Sequence, residues 1–580
     1  MRRPLRVSPT ILSHGERSRT VSSACSAVAT RRVFHSWGWG SFLTLQFKFL
    51  LLAVSFGLMP AEGLAQSIYL PSSHEVYSFL RRMETRGLLN EYRDAARPLS
   101  RRVIATHLQA LEKWVEKMTE VERDEYEFLK GEFNYELSSL AGDPEPSEIR
   151  WHLISTNLSG GILNFDLIGR LAQTNVEKEY ARLRSQGARI YGYVFDDVGY
   201  SLNFVDNREV GRAVNVAKLH TPDPGVVLTK QTDDAIEYNT TEAQLTFHIG
   251  AFQFSLEKMQ NNWGLGRRGQ LAFSEKAPSY PQLKMRVPVT DWLDFIYLHA
   301  ELNSTVLDPE RSYHTYSSSL VDFYRPVDRL KYMAAHMLEL TPLRGVDISL
   351  GESVVYSDRG PLLIYLIPIM FFKSAEHYNQ DKDNIQWFGN VDLNLIPNTN
   401  LYFSLFIDEL NLDDILNPLK ERNQLGLTVG VQTYDLPVKN LEFLAEYTRI
   451  NPWCYTHKYT AANFTNNGYV MGHWIGQNAD NLYFDLSYRP MRSLVFGTTT
   501  EVYRKGGLTD IAYQYRTPSQ PFLYGPLHEE RSFGAYAQYQ FVRDGFLDAR
   551  VRSRTISDEA LRIDKEKKLE WSVSVRYGIW

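Results

Sequence analysis

The chain has 580 residues, with 63 Lys and Arg against 68 Asp and Glu, 43% hydrophobic residues, 13% aromatics and a mean hydropathy of −0.33. No apolar run beyond the N-terminus reaches the ~20 residues of a spanning helix, which argues against a helical membrane protein. A β-barrel escapes that test, because half of each strand faces water. The mildly acidic balance gives no support for nucleic-acid binding.

Residues 1–65 read as a signal or leader segment. Phe49–Leu58 is a short apolar core preceded by Lys48, and Gly63-Leu64-Ala65 is a small-x-small site with cleavage expected after Ala65. This stretch carries eight basic and two acidic residues, so the remainder has 55 basic against 66 acidic, a net −11. Cys25 leaves with the leader. Cys454 then stands alone, which excludes an internal disulfide and a cysteine-based metal site.

Residues 66–147 read as a periplasmic helical segment and linker. Ser72-x-x-Glu75 is a capping box ahead of Val76, Phe79, Leu80 and Met83 on one face, and Gly87 can stop that helix. Ser100 can cap a second helix with the stripe Ile104, Leu108, Leu111 and Val115. Thr119-x-x-Glu122 is another capping box, before Phe128, Leu129 and Phe133. Short helices of this kind must pack on one another or on a barrel. They are also suited to docking a periplasmic export partner. Ala141–Ser147 is rich in breakers and reads as a linker.

From residue 148 to 580 the pattern is strand, short turn, strand, long connection. Strands are expected near 161–172, 187–195, 197–206, 242–249, 251–259, 281–289, 291–303, 331–341, 344–356, 385–396, 398–409, 421–434, 437–450, 480–489, 491–504, 531–541, 543–554 and 567–580. That is about eighteen, an even number, as a bacterial single-chain barrel requires. The fold class is therefore an all-β transmembrane barrel of about 18 antiparallel strands, with a small N-terminal α-helical segment. Tight turns fall at Pro397–Thr399, Asp435–Lys439, Arg489–Arg492 and Asp544–Gly545, and the longest connections span 207–241, 260–280, 304–330, 357–384, 451–479 and 505–530.

Alternation assigns faces. Leu425, Leu427, Val429 and Val431 should meet outer-membrane lipid, while Gly426, Thr428, Gly430 and Gln432 face the lumen. An arginine at Val429 should then cost more than one at Thr428. The same rule places Glu442, Glu446, Asp485, Asp548, Arg550, Arg552, Arg554 and Arg576 inside. In the last strand, Trp571, Val573, Val575 and Tyr577 share one face and the chain ends on Trp580. This resembles the C-terminal signal read by the barrel-assembly machinery of the Gram-negative outer membrane.

One connection stands apart. Asn262-Trp263-Gly264-Leu265-Gly266 is followed by Gly269, Leu271, Ser274 and Ala277-Pro278-Ser279-Tyr280-Pro281-Gln282-Leu283. It resembles the signature stretch of the Wzi family of outer-membrane capsule assembly proteins, W-G-x-G and then N-A-P-x-x-P-x-L, with Lys276 where that pattern has Asn. The resemblance implies a cell outer membrane protein with lectin-like behaviour, which binds or anchors exported polysaccharide at the cell surface.

Physical chemistry points to three residues of this loop as polysaccharide-binding. Trp263 has a flat face for a sugar ring, and Arg267 and Arg268 are bidentate partners for the carboxylates of an acidic polysaccharide. In the competing structural reading the loop folds inward, Trp263 packs, and the arginines are tied to lumen carboxylates such as Glu257. No catalytic residue, metal ligand or cofactor motif is found: G-x-S-x-G, H-E-x-x-H and the P-loop are all missing, and His248 and His299 have no readable acid–serine partners. The chain therefore reads as a non-enzyme. The alternative function is an outer-membrane porin or substrate channel, which an open lumen would favour.

Overall fold

The computed structural model describes residues 68–141, 150–158, 161–194, 198–316, 322–380, 382–411, 420, 422–508 and 510–578. The leader with its cleavage site, most of the linker and the terminal Trp580 lie outside the described residues.

Eighteen long antiparallel strands form one closed sheet. They are β1 (Gly161–Val176), β2 (Glu179–Val194), β3 (Val198–Val210), β4 (Ala235–Ile249), β5 (Phe252–Met259), β6 (Tyr280–Thr290), β7 (Leu293–Leu307), β8 (Asp328–Leu343) and β9 (Val346–Ser357). The second half comprises β10 (Asn384–Ile396), β11 (Thr399–Glu409), β12 (Gln424–Tyr434), β13 (Leu441–Ile450), β14 (Ala479–Met491), β15 (Leu494–Gly506), β16 (Leu527–Val542), β17 (Gly545–Asp558) and β18 (Ile563–Tyr577). β18 pairs with β1, with Tyr577 opposite Gly169 and Trp571 opposite Asn175, which closes the barrel and removes its free edges. Two short strands, Ile154–Leu158 and Leu228–Gln231, add to β1 and β4.

Each expected strand is present, and two start more than four residues early: β2 begins at Glu179 instead of 187, and β4 at Ala235 instead of 242. Outward Arg182 and Arg184 explain the first miss. Here the wall is wet on both faces, so apolar alternation vanishes although the ladder continues. Along β12 exposure alternates as expected, from outward Val429 at 46% to inward Thr428 at 0%. Trp571, Val573 and Val575 are likewise exposed on the outer face.

The helices are α1 (Glu75–Thr85), α2 (Arg101–Leu111), α3 (Glu120–Glu132) and α4 (Asn134–Ala141). The Thr119/Glu122 capping box is complete, and Ser100 caps α2 by accepting from Val103 N. Such caps are worth about 1 kcal/mol each. The cap of α1 is His74, whose Nδ1 accepts from Val76 N at 3.2 Å, in place of the expected Ser72. Val76, Phe79, Leu80, Met83, Ile104, Leu108, Leu111, Leu129 and Phe133 form one shared core.

This helical unit closes the short-turn rim. Asn398 N donates to Thr85 O (3.2 Å), Arg344 to Gly87 O (3.2 Å), Arg93 to Asp291 O (3.0 Å), and Arg86 pairs with Asp435 (3.3 Å). Arg492 and Arg543 stack on Phe128 at 3.9 and 3.8 Å. Phe128 is therefore a docking residue and not part of the helical core.

At the other rim, the connection 358–383 folds back over the outside of the wall. On β9, Ser353 and Val355 face inward, and Glu352, Val354 and Tyr356 face outward. Outward Glu352 accepts from Phe372 N and Lys373 N (2.8 Å each) of the short helix Phe372–Tyr378. Tyr297 of β7 donates to Tyr365 O at 2.7 Å. Leu363 and Ile369 on this strap stay 81% and 82% exposed.

Candidate functional site

The signature loop dives into the barrel. It enters by pairing with the chain between α1 and α2: Ala96 lies opposite Trp263 and Arg97 opposite Asn262. The glycine spacing of the motif has a steric cause. Gly264 sits at φ +135°, and a Cβ on Gly266 would stand 2.0 Å from the Gly269 carbonyl oxygen. Leu265, Leu271 and Phe273 then reach inner-wall residues such as Ile296, Met333 and Phe406, and meet Tyr455, Phe464 and Trp474 of the connection 451–478. One sector of the lumen thus holds a dry core.

Trp263 lies at the bottom of that core. It is 0% exposed, with Phe273 edge-on at 5.1 Å and Phe388 at 6.1 Å. The expectation that it offers a face to a sugar is corrected: burial leaves no room for a ring, and Trp263 is a packing residue.

The two arginines have other surroundings. Glu446 accepts from the backbone N–H of both, at 2.6 and 3.0 Å, which fixes the loop tip to β13. The Arg268 side chain pairs with Glu501, and its guanidinium lies over Tyr483 (4.9 Å) and Trp474 (5.5 Å). Burial alone would weaken its protonation, but Glu501 overcomes that and holds it above the usual arginine range. Arg267 lies 4.5 Å over the Tyr402 ring and donates to Gln432 (3.1 Å), Asn400 (3.2 Å) and Leu265 O. It makes no ion pair within 4 Å among the described residues. Glu257 is not a partner of either arginine; it lies 3.5 Å from Lys284.

Lys276 departs from the family pattern for a visible reason. Its ammonium is buried and donates to the carbonyls of Thr221 (2.9 Å), Asp223 (2.7 Å) and Lys218, clasping the connection after β3. Burial pushes its pKa down to about 8, against the opposing pull of Asp223.

Between the loop tip and the helical unit lies a polar cavity of about 720 Å³. Its lining runs from Asp435 and Asn440 at the short-turn rim to Arg267 and Arg268, and it includes Glu442, Asp485, Asp548, Arg550 and Arg576, all expected in the lumen from alternation. A smaller cavity of about 260 Å³ lies on the other side of Arg267 and Arg268, which line both, as does Arg81.

A closed, even-stranded barrel with an apolar outer belt and a polar lumen is a transmembrane β-barrel of the outer-membrane type. The family model described as Capsule assembly protein Wzi matches residues 174–499, more than half of the chain. The protein belongs to that family. Its fold is similar to that of Wzi from Escherichia coli, an outer membrane protein involved in group 1 capsule assembly and a carbohydrate-binding β-barrel. The TM-score is 0.55 at 10% identity, covering 89% of this chain and 100% of that one. Acinetobacter baumannii OccAB1 (TM-score 0.42, 10% identity, 72% and 96% covered) and Pseudomonas aeruginosa OprD (0.38, 12%, 72% and 94%) match more loosely. No curated protein matches the chain by sequence.

Proposed function

We propose that this barrel is a lectin-like, non-enzymatic protein that binds exported acidic polysaccharide and retains it at the cell surface. Family membership and the carbohydrate binding described for E. coli Wzi support this reading. The observation that carries it is the pair at the loop tip: Arg267 and Arg268 line two cavities, and Arg267 has no ion pair among the described residues. A carboxylate accepts well from such guanidinium groups. The inward loop and the helical unit favour binding over the porin alternative, because both obstruct the lumen.

In this reading the long-loop rim is extracellular. The helical segment is then periplasmic, open to an export partner, and the last strand is the part addressed by the barrel-assembly machinery. A tag inserted beside exposed Leu561 should be labelled on intact cells; labelling only after permeabilisation reverses the orientation.

The test of function is twofold. Deletion should release cell-bound polysaccharide while secretion continues. Purified protein with Arg267→Ala and Arg268→Ala, still heat-modifiable, should bind acidic polysaccharide at least roughly tenfold more weakly, since a hydrogen bond to a charged group is worth ~1.5–3 kcal/mol. Raised salt should weaken the unmodified protein in the same direction. Unchanged affinity would overturn the role of the two arginines.

A further inference from the structure

We propose that the larger lumen cavity is itself a binding site for a carboxylated oligosaccharide, held by Arg170 of β1 and Arg550 of β17. The choice of a sugar rests on the carbohydrate reading above; the site and its residues do not.

The volume, about 720 Å³, is that of a ligand site rather than a packing defect. The charge is one-sided: eight arginines line it (81, 82, 170, 267, 268, 489, 550 and 576) against five carboxylates (122, 435, 442, 485 and 548). Several arginines are already engaged. Arg81 pairs with Asp94 at 2.5 Å, Arg82 with Glu125, Arg268 with Glu501, and Arg576 with Asp548 at 3.0 Å.

Arg170 and Arg550 are different. Neither makes a hydrogen bond or an ion pair among the described residues, and the Arg170 Nε is buried without a partner. The nearby carboxylates are committed elsewhere. Asp485 accepts from Tyr483 and Tyr536 (3.1 Å each), and Asp548 from Gln538 (2.8 Å), Ser574 (3.0 Å) and Arg576. A guanidinium inside a barrel without a hydrogen-bonded anion is costly, even with Asp485 in electrostatic range of Arg550, and an entering carboxylate relieves that cost.

The register argues for a chain of charges over a single small anion. Arg550 lies opposite Ser572, and Ser572 opposite Thr174, four residues from Arg170 on the same strand. Two strand spacings and four residues of rise place the two backbones about 16 Å apart. Tyr434, Tyr483, Tyr536, Ser487 and Ser572 line the same cavity and add ring faces and hydroxyls suited to sugar.

The experiment uses the full-length protein in detergent, titrated calorimetrically with trigalacturonate, maltotriose and inorganic phosphate. Trigalacturonate should bind, and the two others should bind at least tenfold more weakly. Arg170→Gln with Arg550→Gln should weaken trigalacturonate at least tenfold, with heat-modifiability checking the barrel. Each single variant provides a second reading if the pair does not fold. Equal affinity in variant and parent overturns the proposal, and so does phosphate binding as tightly as trigalacturonate. Trigalacturonate binding lost only with Arg267→Ala and Arg268→Ala, which line the same cavity, would overturn the assignment to Arg170 and Arg550 and leave the surface function standing. Deletion that leaves cell-bound polysaccharide unchanged, with cavity binding intact in the purified protein, would do the reverse.

Discussion

Arg268 lies on Glu501 in two parallel hydrogen bonds, Nε to Oε1 at 2.7 Å and Nη2 to Oε2 at 2.8 Å, joining residues 233 apart in sequence. This fork is the side-chain tether between the tip of the signature loop and β15.

Removing the charge of the acceptor should free the tip. Glu501→Gln is expected to cost about 2 kcal/mol in loop docking, the worth of a hydrogen bond to a charged partner. Gly266→Ala should do more, because its Cβ would meet the Gly269 carbonyl oxygen. The readout is tryptic cleavage after Arg267 or Arg268 in folded, heat-modifiable protein. Full protease resistance in both variants would mean that the dry core and the Glu446 contacts hold the loop without the fork.

The lipid face supplies a second test, with a changed control position. Val429→Arg should cost roughly 2–4 kcal/mol near mid-membrane. Thr428→Arg, expected to be mild from alternation, is not a neutral control. Thr428 is fully buried and bonded to the Thr448 hydroxyl at 2.8 Å, so an arginine there overpacks the lumen. Ser487, which lines the larger cavity opposite Glu442, is the proper contrast. Urea titration of folding in lipid vesicles should show Ser487→Arg well below Val429→Arg. Equal costs would contradict the register.

Acid should loosen the helical unit from the barrel in a defined window. Glu132 lies 3.0 Å from Arg101, 2.6 Å from Arg150 and 3.7 Å from Arg543. Burial alone would raise its pKa, but Arg150 and Arg101 overcome that and hold the carboxyl well below the usual range. A depressed folded pKa gives stability that is present above the ordinary value of about 4.3 and is lost as pH falls toward the folded one. Asp544 in the neighbouring turn runs the other way. Burial lifts it to about 6 despite Arg150, so protonation there favours the docked state as pH drops from about 7 to 4. Hydrogen exchange in α3 should therefore stay slow at pH 5 and rise below about pH 4. Glu132→Gln should shrink that acid limb, the remainder coming from Glu125 of the same helix, which Arg82 and Arg489 hold below the usual range against burial. Exchange that already rises at pH 5 would refute the assignment.

Much of this architecture was legible because period-two alternation survives wherever one face is oily and the other wet. The lumen positions of Asp485, Asp548, Arg550 and Arg576 followed from that alone. The dry sector was not legible. In β7, Ile296 and Leu298 face inward while Phe295 and Tyr297 face outward, so both faces are apolar and the period carries no sign of what fills the lumen. The glycines and Trp263 stood out as a motif, yet a loop has no period to separate a buried indole from an offered one. The partner of Arg268 was out of reach for a simpler reason: Glu501 becomes its neighbour only when the barrel closes.

The strap over β7–β9 gives the barrel a compass bearing. Tyr297, which anchors it, stands four residues into its strand, about 13 Å from the turn. Lipid chains that meet smooth strand elsewhere meet irregular backbone, an outward carboxylate and bare Leu363 and Ile369 on this flank. A quarter-turn about the barrel axis is therefore not a silent motion, and neighbours in the plane of the membrane encounter a molecule with a front and a back.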